Sequence, residues 1–125
     1  MFQIDTMSRV PIYEQIVNQL EYFVLNGILK EGEQIPSVRN LSVDLSINPN
    51  TIQKAYFELD KRGIIQSVPG RGCFVTESAK AILSAKKREQ LADLKALVNE
   101  LALADISKGE IISCVEEVYE DLNKG

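Results

Sequence analysis

The stretch PSVRNLSVDLSINPNTIQKAYFELDKRGIIQSVPGRGCFV, residues 36–75, decides the fold. Ser37 can cap a helix whose Val38, Leu41 and Leu45 recur at spacings of three and four and so share one inward face. Ser46-Ile47 follows, and then Asn48-Pro49, a capping residue and a proline at the first helical position, where its missing N–H costs nothing. In the helix that begins there, Ile52, Ala55, Tyr56 and Leu59 form one apolar face, and Gly63 supplies the stop. Two short helices separated by a few residues, the second opening on small polar side chains, have the sequence form of a helix-turn-helix. IIQSV and CFVT are β-prone runs separated by Pro69-Gly70-Arg71-Gly72, so the second of these helices leads straight into a β-hairpin of the kind that forms a wing.

Upstream, FQID alternates apolar and polar residues and is expected to lie as a short strand on the domain edge. From Pro11 the positions Ile12, Ile16, Leu20, Phe23 and Val24 have helical spacing, which predicts a helix over 11–26 stopped by Gly27. Downstream, a helical register with Leu91, Leu94, Val98 and Leu101 predicts one long helix from Ser78 to Ala104. Asp105-Ile106-Ser107 breaks it, and Ser107 to Glu110 has the spacing of a capping box for a last helix carrying Ile111, Ile112, Val115, Val118 and Leu122. Two helices cannot bury both stripes on each other, and unburied apolar surface of that extent usually marks a partner interface. Homodimerisation is the simplest solution. The expected fold is therefore mainly α with a small β-wing, a winged helix-turn-helix over 1–76 and a C-terminal two-helix dimerisation tail over 77–125.

Composition agrees with this size and class. The 125 residues are 45% hydrophobic and 26% charged, which suits one packed domain with a short appendage. No apolar run approaches the roughly 18 residues of a membrane span, and MFQIDTMSR lacks the basic-then-apolar order of a signal peptide, so a cytoplasmic protein without membrane contact is expected. Cys73 and Cys114 lie in different segments and no histidine is present, so the cysteines read as packing thiols, with redox sensing as the alternative for which no neighbouring residue speaks, and no metal and no cofactor are expected. The net charge of −4 argues at first sight against a nucleic-acid partner. Its distribution changes that view, because residues 1–76 carry seven basic and eight acidic side chains whereas 77–125 carry seven and ten. Over 48–76, Lys54, Lys61, Arg62 and Arg71 face only Glu58 and Asp60, so one surface can be positive in an acidic protein.

The run from Pro36 to Ile65, followed by PGRGCFV, resembles the winged helix-turn-helix of the GntR family of bacterial transcription regulators. PIYEQI, NPNT and the short helical tail are most similar to its small YtrA-type branch, and the resemblance covers essentially the whole chain. It implies a DNA-binding domain over 1–76 and a dimerisation tail that together recognise a roughly palindromic operator, as a repressor does. The tail is too short for the metabolite-binding domain of larger relatives, so any small-molecule effector would have to bind at the tail or the dimer interface. The resemblance maps DNA contact to Arg39, to the cluster Asn48, Pro49, Asn50 and Thr51, and to the wing residues Gly70 and Arg71. Pro49 and Gln53 stand where many relatives have guanine-reading arginines, so those base preferences do not transfer.

Each candidate has a plainer reading beside the functional one. Arg39 projects from the junction of the two helices, where an arginine can be merely solvated or can reach phosphate or base. Asn50, Thr51, Gln53 and Lys54 stand at the helix end that a helix-turn-helix presents to base edges, and Asn48 can act there as a cap or a backbone contact. Gly70 and Gly72 serve a tight turn, and the same freedom lets backbone and Arg71 approach a minor groove. Tyr13 can pack in the core or touch a phosphate, and Lys86-Lys87-Arg88 reads as a solvated face. A protein-docking module on the same scaffold is the alternative that the acidic balance suggests, and the polar, basic face of the second helix speaks against it. No histidine, glycine-rich phosphate loop or nucleophile–base pair is present to assemble an enzyme.

Overall fold

The computed structural model describes residues 2–124. The elements run α1 (Ile12–Leu25), β1 (Gln34–Ile35), α2 (Val38–Leu45), α3 (Pro49–Lys61), β2 (Ile65–Val68), β3 (Gly72–Val75), α4 (Ala79–Arg88), α5 (Leu91–Leu103) and α6 (Lys108–Lys124). They form two compact units, Met1–Ala85 and Lys86–Gly125. The first unit thus runs past the boundary expected at 76.

In the first unit α1, α2 and α3 pack around a core of Ile16, Leu20, Leu41, Ile52, Leu59 and Ile64, closed on one side by Ile65 and Val75 of the sheet. The caps act as the sequence indicates. The Ser37 hydroxyl accepts from the Asn40 N–H at 3.0 Å, and the Asn48 side chain accepts from the Asn50 N–H at 2.8 Å ahead of Pro49. Between the two helices Ser46 takes a left-handed conformation with φ of 54°, which reverses the chain within the turn. Tyr56 ties α3 to the entry of α2 by donating its hydroxyl proton to the Pro36 carbonyl at 2.6 Å.

The hairpin of β2 and β3 pairs Ile65 with Val75 and Val68 with Gly72. It is joined by β1, so the antiparallel sheet has three strands in the order β1-β3-β2. With only two residues, β1 is too short to show an alternating pattern in sequence.

FQID is not a strand. The segment runs along α1, whose glutamines act as surrogate strand partners. The Gln19 amide accepts from the Gln3 N–H and donates to the Gln3 carbonyl, and Gln15 does the same for Asp5, each at 2.6–2.9 Å. Phe2 then meets Phe23 edge to face at 5.3 Å. The alternation marks Phe2 and Ile4, which pack against the core, while backbone groups of Gln3 and Asp5 bond to side chains of a helix.

The long helix expected over 78–104 is two helices, α4 and α5, broken at Glu89-Gln90. Ala79 and Leu83 of α4 are buried in the winged-helix core, with Ile82 packed against it. At the break the hydrogen bonds tighten to carbonyls three residues back, from the Glu89 N–H to Lys86 at 3.3 Å and from the Gln90 N–H to Lys87 at 2.9 Å, and α4 ends there. In the second unit Asp105, with φ of 65°, turns the chain from α5 to α6, and the Ser107 hydroxyl caps α6 by accepting from the Glu110 N–H at 3.2 Å.

Candidate nucleic-acid interface

The geometry of α3 separates two faces. Ile52, Ala55, Tyr56 and Leu59 are buried, and Asn50, Gln53, Lys54 and Phe57 are exposed on the other side, with Thr51 half-buried between the two. With the Asn48 oxygen engaged in the cap, the Asn50 and Gln53 amides remain without a side-chain hydrogen bond of their own among the described residues. Gln53, Phe57 and Lys61 line a groove of about 470 Å³ together with Val38 of α2 and Ser67 and Cys73 of the hairpin. The two helices and the wing therefore border one concavity.

The charges sort themselves by pairing. Arg62 holds Glu21 at 3.2 Å and Glu58 at 3.0 Å. Burial disfavours its charge, but the two carboxylates outweigh this and hold its pKa above the ordinary arginine value. Arg62 is thus a structural link between α1 and α3 and drops out of the positive surface expected from the sequence. Both ion pairs among the described residues belong to Arg62, so Arg39, Lys54, Lys61 and Arg71 carry exposed charges without a carboxylate partner.

Tyr13 lies at the edge of this surface and is half-buried. Its ring faces the Lys54 ammonium, 4.1 Å from the ring centre, and its hydroxyl donates to Glu14 at 3.2 Å. Partial burial, with the Glu14 carboxylate adding to it, raises the phenol pKa. The tyrosine therefore packs against Lys54 in the free protein.

At the wing tip Gly70 and Gly72 have φ of 79° and 115° and place Arg71 outward between them. The Arg71 N–H closes the turn onto the Val68 carbonyl at 2.9 Å, and the Gln34 side-chain amide donates to the Arg71 carbonyl at 2.9 Å. Gln34 braces the tip from β1, a role with no signal in the sequence because β1 itself has none. A Cβ on Gly72 would stand 2.6 Å from the Gln34 amide nitrogen, whereas one on Gly70 would meet open space.

In the second unit no residue of α5 or α6 is buried. Leu91, Leu94, Ile112, Val115, Val118 and Leu122 are exposed, and Val98, Leu101 and Ile111 are half-buried. Among the described residues no helix is long and apolar enough to cross a membrane, and no three metal-ligating side chains come together.

A three-helix winged fold whose third helix exposes amides and lysines, with a glycine-flanked arginine at the wing tip, defines a DNA-binding transcription regulator. The chain belongs to the GntR family: residues 12–75 match the bacterial regulatory proteins of the gntR family. It is 39% identical over 126 residues to the HTH-type transcriptional repressor YtrA of Bacillus subtilis (strain 168), covering 100% of this chain and 97% of that one. The crystal structure of a transcriptional regulator from Oenococcus oeni superposes with a TM-score of 0.74 at 29% identity, over 95% of this chain and 99% of the other. AraR(DBD), solved in complex with operator ORX1, superposes with a TM-score of 0.53 at 28% identity, over 61% of this chain and 93% of that one. The family is one of regulators, not of enzymes.

Proposed function

We propose that this chain is a cytoplasmic repressor that binds a palindromic operator as a homodimer. Asn50, Thr51, Gln53 and Lys54 address base edges in the major groove. Arg39 and Asn48 hold the flanking backbone, with Tyr13 orienting Lys54, and Gly70, Arg71 and Gly72 bring the wing to the adjacent minor groove. Leu91, Leu94, Val98 and Leu101 of α5 and Ile111, Ile112, Val115, Val118 and Leu122 of α6 form the dimer contact. The observation that carries the reading is the exposed face of α3, where among the described residues the Asn50 and Gln53 amides make no side-chain hydrogen bond within the protein and Lys54 and Lys61 make no ion pair. The repressor name of YtrA and the operator bound to AraR(DBD) support it by relationship. A two-fold dimer meets two half-sites about 34 Å apart, one turn of the duplex.

Binding of the full-length protein to a random-duplex pool tests the reading. Affinity is expected to fall steeply with salt, because each neutralised phosphate releases counterions. Arg71→Ala and Arg39→Ala are each expected to weaken binding roughly tenfold and to lower the salt slope by about one where the lost contact is a phosphate. Salt-independent retention, or variants that bind like the wild type, would contradict it.

A further inference from the structure

We infer that Phe57 is a specificity-determining residue that reads a thymine through its C5-methyl group, beside an adenine addressed by Gln53. This rests on the DNA-binding reading above and adds to it a side chain outside the polar and basic set.

Asn50, Gln53, Lys54 and Phe57 stand at positions i, i+3, i+4 and i+7 of α3, so at 3.6 residues per turn they share one face, opposite the buried stripe of Ile52, Ala55, Tyr56 and Leu59. A recognition helix lying in the major groove reaches base edges from positions with that spacing. Phe57 is 68% exposed, while Ile52, Tyr56 and Leu59 of the same helix are buried. Isolated exposed apolar residues are ordinary on a protein surface. Phe57, however, occupies the middle of the face that the fold turns toward its ligand, next to Gln53 and Lys61 and open to the groove that α3 shares with the wing.

The chemistry of the duplex supplies an apolar partner for it. In the major groove, thymine alone among the bases presents an apolar group, and phenylalanine is one of the side chains that contacts it. The Gln53 amide suits the paired acceptor and donor of adenine. Four residues along a helix rise about 6 Å, close to two base-pair steps of 3.4 Å, so the thymine is expected about two steps from that adenine.

The test uses duplexes enriched by the full-length protein from a random pool at rising salt, with each thymine then replaced in turn by deoxyuridine, which removes only the methyl group. One thymine per half-site is expected whose replacement weakens wild-type binding about fourfold, the effect of burying one methyl group. Phe57→Ala is expected to bind thymine and uracil duplexes alike, with an unchanged salt slope because no phosphate contact is lost. Phe57→Leu, still apolar, should keep part of the discrimination. Enrichment of an operator with wild-type indifference to uracil at every position overturns the inference and leaves the DNA-binding reading intact, as does a uracil penalty that persists in Phe57→Ala. Failure to enrich any duplex removes both.

Discussion

Tyr56 shows what a single side chain contributes here. Its ring fills the core while its hydroxyl fastens α3 to the Pro36 carbonyl at the head of α2, which fixes the angle at which the recognition helix is presented. Burial pushes its phenol above the ordinary tyrosine value of about 10. Because the folded pKa is the higher one, the unfolded chain ionises first; stability is intact below about pH 10 and falls as the pH rises beyond it. Tyr56→Phe is expected to cost about 1 kcal/mol at neutral pH and to remove that alkaline loss, both measurable by denaturant titration. Gly72 makes a second case. With φ of 115°, any side chain there is strained, and its Cβ would push Gln34 off the Arg71 carbonyl. Gly72→Ala is expected to destabilise the first unit by about 1–3 kcal/mol and Gly70→Ala by less, since Gly70 needs only its left-handed φ. The need for glycine at both positions was legible from the turn between two β-prone runs. Gln34 was not, because its role exists only once β1 lies beside β3.

At the scale of elements, α4 is the part that sequence patterning placed least well. Leu83 and Ala79 close the winged-helix core, and Gly63 lies so near Ile82 that a Cβ there would stand 3.1 Å from its methyl group. Leu83→Ala is therefore expected to destabilise the first unit by about 2–5 kcal/mol in thermal or chemical unfolding, whereas a solvated linker helix would lose almost nothing. The core-forming helices were legible because their apolar spacing, caps and terminal glycines all agree, as at Ser37, Asn48-Pro49 and Gly63. FQID and the Ser78–Ala104 stretch misled for one common reason. Periodicity reports which face is apolar, but not whether a strand's partner is another strand or whether one register is carried by a single helix or by two. The candidate site was legible to a similar depth. The exposed end of α3 followed from its buried stripe, while the Glu21 and Glu58 pairs that remove Arg62 from the positive surface needed the tertiary fold.

For the whole molecule, an acidic chain is read as a DNA-binding regulator because Arg39, Lys54, Lys61 and Arg71 of the winged-helix unit carry exposed, unpaired charge, while most of the acid excess lies beyond residue 76, where ten acidic side chains stand against seven basic ones. Leucines and valines of α5 and α6 are exposed, and in the proposed dimer they are the contact between two copies. Leu94→Glu is expected to shift the protein to monomers in sedimentation and, by loss of bivalent attachment, to weaken operator binding roughly a hundredfold without disturbing the winged-helix unit. The most direct test of the central claim is selection of full-length protein on a random-duplex pool across a salt series, followed by sequencing of the retained DNA. A palindromic duplex, enriched and released as salt rises, is the expected result. Retention without any enriched sequence, or no retention even at low salt, would contradict the account.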